Sequence, residues 1–133
     1  MWVETNKLPD LAGCVCTALL CQQFWYRGEL SADANVVFLE TDGQQWHRFS
    51  IDAGEVFWRL VASPDLIETS SEDEFHYPHV EIGEGLNLIG KRITGISLVR
   101  EERKTSLVLA FSDNSQLCLH NEQDISRLEF NQT

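Results

Sequence analysis

Positive charge is what this chain has least of. It carries 10 Lys and Arg against 21 Asp and Glu, a formal net charge of −11. Phosphates of nucleic acids and anionic lipid surfaces repel such a chain, so neither is an expected partner. A long apolar run is also missing, since a membrane helix needs about 20 consecutive apolar residues. Leu11-Ala12-Gly13-Cys14 matches the lipobox of bacterial lipoprotein signals. Yet the residues before it are mixed and polar, without a basic start or an apolar stretch, so a cytoplasmic protein is expected. There is no activated-serine motif, phosphate-cradling glycine loop or dinucleotide fingerprint. Gly83-Glu84-Gly85 reads as a short turn. No catalytic residue and no cofactor is therefore assigned.

What is present suffices for a core. Of 133 residues 43% are apolar and 13 are aromatic, four of them Trp, which excludes wholesale disorder and fits one domain. Four cysteines (Cys14, Cys16, Cys21 and Cys118) are expected as free, buried thiols in a reducing compartment. Cys14 and Cys16 alternate onto one strand face, where adjacent same-strand cysteines make poor disulfide geometry.

Apolar positions recur with period two or run continuously, which favours strands over helices. Strands are expected over residues 14–22, 36–40, 44–51, 56–61, 92–100, 105–111 and 116–120. Asp42-Gly43, residues 52–55, residues 100–104 and Asp113-Asn114 supply the turns. The apolar set of residues 92–100 switches sides midway, which fits a bulge near Gly95. Residues 121–130 allow either a short capped helix or an extended edge.

The order of elements repeats. Leu11-Ala12-Gly13, an apolar run and Val36-Val37-Phe38-Leu39-Glu40-Thr41-Asp42-Gly43 correspond to Leu88-Ile89-Gly90, an apolar run and Leu107-Val108-Leu109-Ala110-Phe111-Ser112-Asp113-Asn114. Gly13 aligns with Gly90 and Asp42 with Asp113, so the offset moves from 77 to 71 and Trp46 falls opposite Leu117. Six extra residues are then expected in the first copy, around Tyr26 to Ala34. The expected fold is mainly β, with α+β as its variant. Two antiparallel meander halves, residues 1–61 and 88–133, pack as a sandwich or partial barrel within one domain.

Residues 62–87 join the halves as a long acidic linker containing Asp65, Glu68, Glu72, Asp73, Glu74, Glu81 and Glu84 and no Lys or Arg. The first half carries −4 and the second is balanced, so this linker holds most of the excess charge. Phe75 to Ile82 looks tied down, with Phe75 and Tyr77 as aromatic anchors. His76 and His79 stand among carboxylates and invite a metal reading, but Pro78 breaks any helix that would place both rings on one face. His47 near Asp52 and Glu55 invites an acid–base reading whose geometry the sequence leaves open. Phe57 and Trp58 are adjacent on a strand and point to opposite faces, so at least one lies away from the main core. An exposed Trp58 beside acids would suit a protein-binding hot spot.

The apolar strand closed by Asp-Gly or Asp-Asn, together with Ile51-Asp52-x-Gly54-x-x-Phe57-Trp58-Arg59, resembles small bacterial β-proteins. Immunity proteins of polymorphic or contact-dependent toxin systems are among these. The resemblance implies a cytosolic, non-enzymatic inhibitor that occupies a basic toxin domain, often a nuclease. The expected contact set is Asp65, Glu68, Glu72, Asp73, Glu74, Phe75, Tyr77, Glu81, Glu84 and Trp58, in a monomer or weak dimer with no bound metal. The alternatives are a metal-binding enzyme or sensor using His76 and His79, or a module that self-associates through sheet edges.

Overall fold

Alternation of apolar and polar side chains becomes strand almost throughout. A computed structural model describes residues 4–5, 7–64 and 75–132, with backbone alone for residues 4, 5, 75 and 76. Its strands are β1 (Glu4–Thr5), β2 (Cys16–Tyr26), β3 (Glu29–Thr41), β4 (Trp46–Asp52), β5 (Glu55–Val61), β6 (Phe75–His76), β7 (His79–Glu81), β8 (Ile93–Arg100), β9 (Lys104–Phe111), β10 (Gln116–Glu122) and β11 (Ile125–Asn131). All pairings are antiparallel. One sheet has seven strands in the order β1-β5-β4-β3-β2-β6, with β7 also on β2, and the other runs β11-β10-β9-β8. Among the described residues there is no helix. The terminal segment that could have capped a helix instead forms the β10–β11 hairpin, with Gln123 and Asp124 at positive φ in its tip.

The sheets face each other as a sandwich. Leu19, Val37, Leu39, Phe49, Ile51 and Val56 from the first meet Leu107, Leu109, Phe111, Leu117 and Leu119 from the second. Each such side chain contributes about 1.5–3 kcal/mol on leaving water. Apolar side chains from both sheets line a void of about 20 Å³ between them. It would hold a single water at most, and its apolar walls offer that water no partner. Hydrogen bonds tie the far ends together: Arg100 and Thr105 donate to the Gly54 carbonyl at 3.0 and 3.1 Å, and Ala53 N–H donates to Asp124 at 2.9 Å.

The repeat is physical, and its register differs from the expected one. Gly13 and Gly90 have φ of 90° and 89°. Gly13 N–H donates to the Ile93 carbonyl and Gly90 N–H to the Cys16 carbonyl; Ile93 N–H donates to Cys14 and Cys16 N–H to Lys91. Val15 and Arg92 bridge at the centre of this reciprocal set, so a local two-fold passes between them. Cys16 and Ile93 open equivalent strands 77 residues apart, whereas β4 and β10, and likewise β5 and β11, begin 70 apart. Trp46 therefore corresponds to Gln116 rather than Leu117, and the first copy has seven extra residues rather than six. They lengthen the β2–β3 hairpin, whose register shifts near Phe24, instead of forming a loop.

β3 is buried on both sides. Val37 and Leu39 enter the main core, while Val36 and Phe38 are as deeply buried on the opposite face. The continuous apolar run Val36 to Leu39 is what such a strand requires. The expected linker is partly a structural element, since β6 and β7 pair with β2 and Val80, Ile82 and Leu86 pack against the core.

Candidate functional site

Outward positions of the second sheet hold its most reactive side chains. Leu107, Leu109, Leu117 and Leu119 point into the core, so Ser106, Cys118 and His120 must point out, and Glu129 joins them from β11. Register then fixes the cluster: His120 lies opposite Ser106, and Cys118 lies opposite Glu129. Ser106 Oγ is 2.6 Å from His120 Nδ1, and His120 Nε2 is 2.7 Å from Glu129 Oε1. Although they stand on an outer face, Ser106, Cys118 and His120 are 4%, 4% and 6% exposed.

The hydrogen bond from His120 holds the Glu129 carboxyl below its usual range, and nearby Arg127 and Lys104 act the same way. Burial pushes the Cys118 thiol up; Glu129 adds to this and Lys104 opposes it. The chain of hydroxyl, imidazole and carboxylate has the members of a nucleophilic triad, but its setting does not suit acyl transfer. Ser106 is closed to substrate, and β9 is paired on both sides, so its amides are committed to ladder bonds and leave no oxyanion donors. The arrangement suits holding an imidazole in one orientation beside a thiol and a carboxylate.

A second polar feature is an open groove of about 390 Å³ between the β4–β5, β8–β9 and β10–β11 tips. Arg100, Arg103 and Lys104 share it with Glu55, Glu101 and Asp124, so its charges are mixed.

Among the described residues, the contact residues expected from sequence do not converge. Asp65, Glu68, Glu72, Asp73 and Glu74 lie outside the described residues. Phe75 and His76 are placed by backbone alone, opposite Tyr26 and Trp25. Tyr77 stacks on Phe24 with ring centroids 5.2 Å apart, and is half-buried. Glu81 is exposed but accepts hydrogen bonds from Gly83 and Glu84 N–H groups, and Glu84 is exposed. Trp58 needs correction as a surface anchor. It packs against the main core, its indole N–H donates to His47 Nδ1 at 3.0 Å, and Phe57 is its outward neighbour. β4, β3 and β2 also separate Trp58 from Tyr77 and Glu81.

His47 is 4% exposed, and burial lowers its pKa, so it is a neutral core acceptor rather than a partner of Asp52 and Glu55. His79 lies against Phe38, with centroids 5.3 Å apart, and 3.4 Å from the Gln22 amide nitrogen. All four cysteines are free; Cys14 is half-buried and the other three are buried.

Sequence alone does not assemble the Ser106, Cys118, His120 and Glu129 cluster. Its one local signal is inward Leu117 and Leu119, which force Cys118 and His120 outward together. Ser106 and Glu129 need the strand register.

Fold and cluster together define an antiparallel two-sheet β protein with a buried histidine network on one outer face. No family model, curated protein or solved structure matches the chain. Among the described residues, no helix is long and apolar enough to cross a membrane.

Proposed function

We propose that this protein is a non-enzymatic binding protein whose acidic surface engages a basic protein partner, as an immunity-type inhibitor engages a toxin domain. The observation that carries this reading is the charge excess: 21 acids stand against 10 bases, so even with every base paired to an acid, the remaining carboxylates act on the surroundings. Clustered carboxylates imitate phosphates, attract Lys and Arg and speed association by steering.

The partner to test is a basic C-terminal domain of a large secreted protein encoded by the adjacent gene. Co-expression of the two should restore growth that the domain alone arrests. Association measured by stopped flow should slow as salt rises. Replacing Asp65, Glu68, Glu72, Asp73 and Glu74 together by Asn and Gln should slow it by roughly 10-fold or more, with an unchanged melting temperature. Failure to rescue, or association indifferent both to salt and to these replacements, would overturn the reading.

A further inference from the structure

We propose that Cys118, His120 and Glu129 form a zinc site on the outer face of the second sheet, with three protein ligands and a fourth position open. Strand geometry supplies the set. Residues two apart on one strand share a face, so Cys118 and His120 project side by side, and Glu129 pairs directly with Cys118 from the neighbouring strand. One candidate ligand atom from each residue lies within 4.8 Å of the others. A tetrahedral ion with bonds of about 2.0–2.3 Å holds its ligands under about 4 Å apart. Ligand atoms as far as 4.8 Å apart therefore close by about 1 Å on binding, and Glu129, with its side chain 48% exposed, is the least confined of the three.

Two further observations point the same way. Among the buried thiols, Cys16 donates to the Ala18 carbonyl and Cys21 to the Asp33 carbonyl. Cys118 donates no hydrogen bond among the described residues, and it faces an imidazole and a carboxylate instead. Ser106 also anchors the far side of the ring at 2.6 Å, as the outer partner of a metal-bound imidazole does.

Proton balance is simple. In the metal-free form His120 donates Nε2–H to Glu129 and accepts from the Ser106 hydroxyl at Nδ1. With zinc bound, the Nε2 lone pair and a Glu129 oxygen take the metal. The imidazole proton moves through solvent to Nδ1 and is donated to Ser106 Oγ, while the Cys118 thiol proton is released to solvent. Thiolate and carboxylate then match the two charges of the ion, and Lys104 and Arg127 nearby favour an anionic or hydroxide fourth ligand.

The test uses full-length protein without a polyhistidine tag, freed of metal and titrated with Co²⁺ and then Zn²⁺. Expected are one equivalent of Co²⁺, a thiolate-to-cobalt charge-transfer band, visible bands of four-coordinate strength, and displacement by Zn²⁺. Glu129→Gln, at an exposed position, should weaken binding by at least about 10-fold, and Ser106→Ala by about 10–100-fold. Cys118→Ser should abolish the charge-transfer band while circular dichroism stays native. His79→Ala should change nothing. The proposal is overturned if no stoichiometric band forms, if the band survives Cys118→Ser, if Glu129→Gln binds as tightly as the parent, or if His79→Ala abolishes binding.

Discussion

Replacing Gly13 and Gly90 by Ala tests the local two-fold that joins the sheets. An alanine Cβ at either glycine would meet nothing within 4 Å, so crowding contributes no penalty. The cost lies in the backbone: φ of 90° and 89° forces an L-residue into a left-handed conformation, at about 1–2 kcal/mol. Against this, alanine restricts the unfolded chain and returns about 0.4–1 kcal/mol. Each substitution should therefore destabilise by about 1 kcal/mol net, a melting shift of roughly 2–6 °C for a domain of this size. Gly95 is the control, because it too has open space around its Cβ but no positive φ. Gly95→Ala should be neutral or stabilising by about 0.4–1 kcal/mol. Urea unfolding at constant slope measures all three. If Gly13→Ala and Gly90→Ala match the parent, or if Gly95→Ala loses as much as they do, the strained junction is not what the substitutions probe.

Two further outcomes follow from burial. His47 has its pKa lowered by desolvation, so below about pH 6.5 the unfolded chain binds a proton that the folded chain resists. Its contribution is complete above that pH and declines as pH falls towards the folded value. Protonation would also cost Trp58 its acceptor. Chemical denaturation between pH 7 and 5 should show a decline that His47→Gln reduces, and an equal decline in both proteins would refute the assignment. Phe38, 1% exposed on the face turned away from the sandwich core, should cost about 3–5 kcal/mol on truncation to Ala. A loss under about 0.5 kcal/mol, ordinary for a surface position, would deny that face a packing layer of its own.

Much of the fold could be read locally. Both faces of β4 follow from alternation, with His47, Phe49 and Ile51 inward and Trp46 and Arg48 outward. The residues 100–104 tip, the residues 52–55 turn and the irregularity near Gly95 are where turn chemistry and the broken alternation put them. Other features have no local signal. Leu117, Cys118 and Leu119 form a continuous apolar run, so a slip of one residue leaves the pattern unchanged and hides the offset of 70. Glu29, Leu30 and Ser31 are exposed and carry no apolar rhythm, so the sequence does not mark where β3 begins. Phe57 and Trp58 are both aromatic, and only packing decides which turns inward.

Composition and periodicity alone determine that this chain is acidic, mainly β and built as two similar meanders, because those properties depend on residue type and near-neighbour spacing. Tertiary structure alone decides that Trp58 belongs to the core, that β3 is covered on both faces, and that Ser106, Cys118, His120 and Glu129 meet. The physical reason is that a strand repeats its facing every second residue but carries no record of its partner. Side chains separated by as many as 23 residues become neighbours when β9, β10 and β11 settle their register against a shared core.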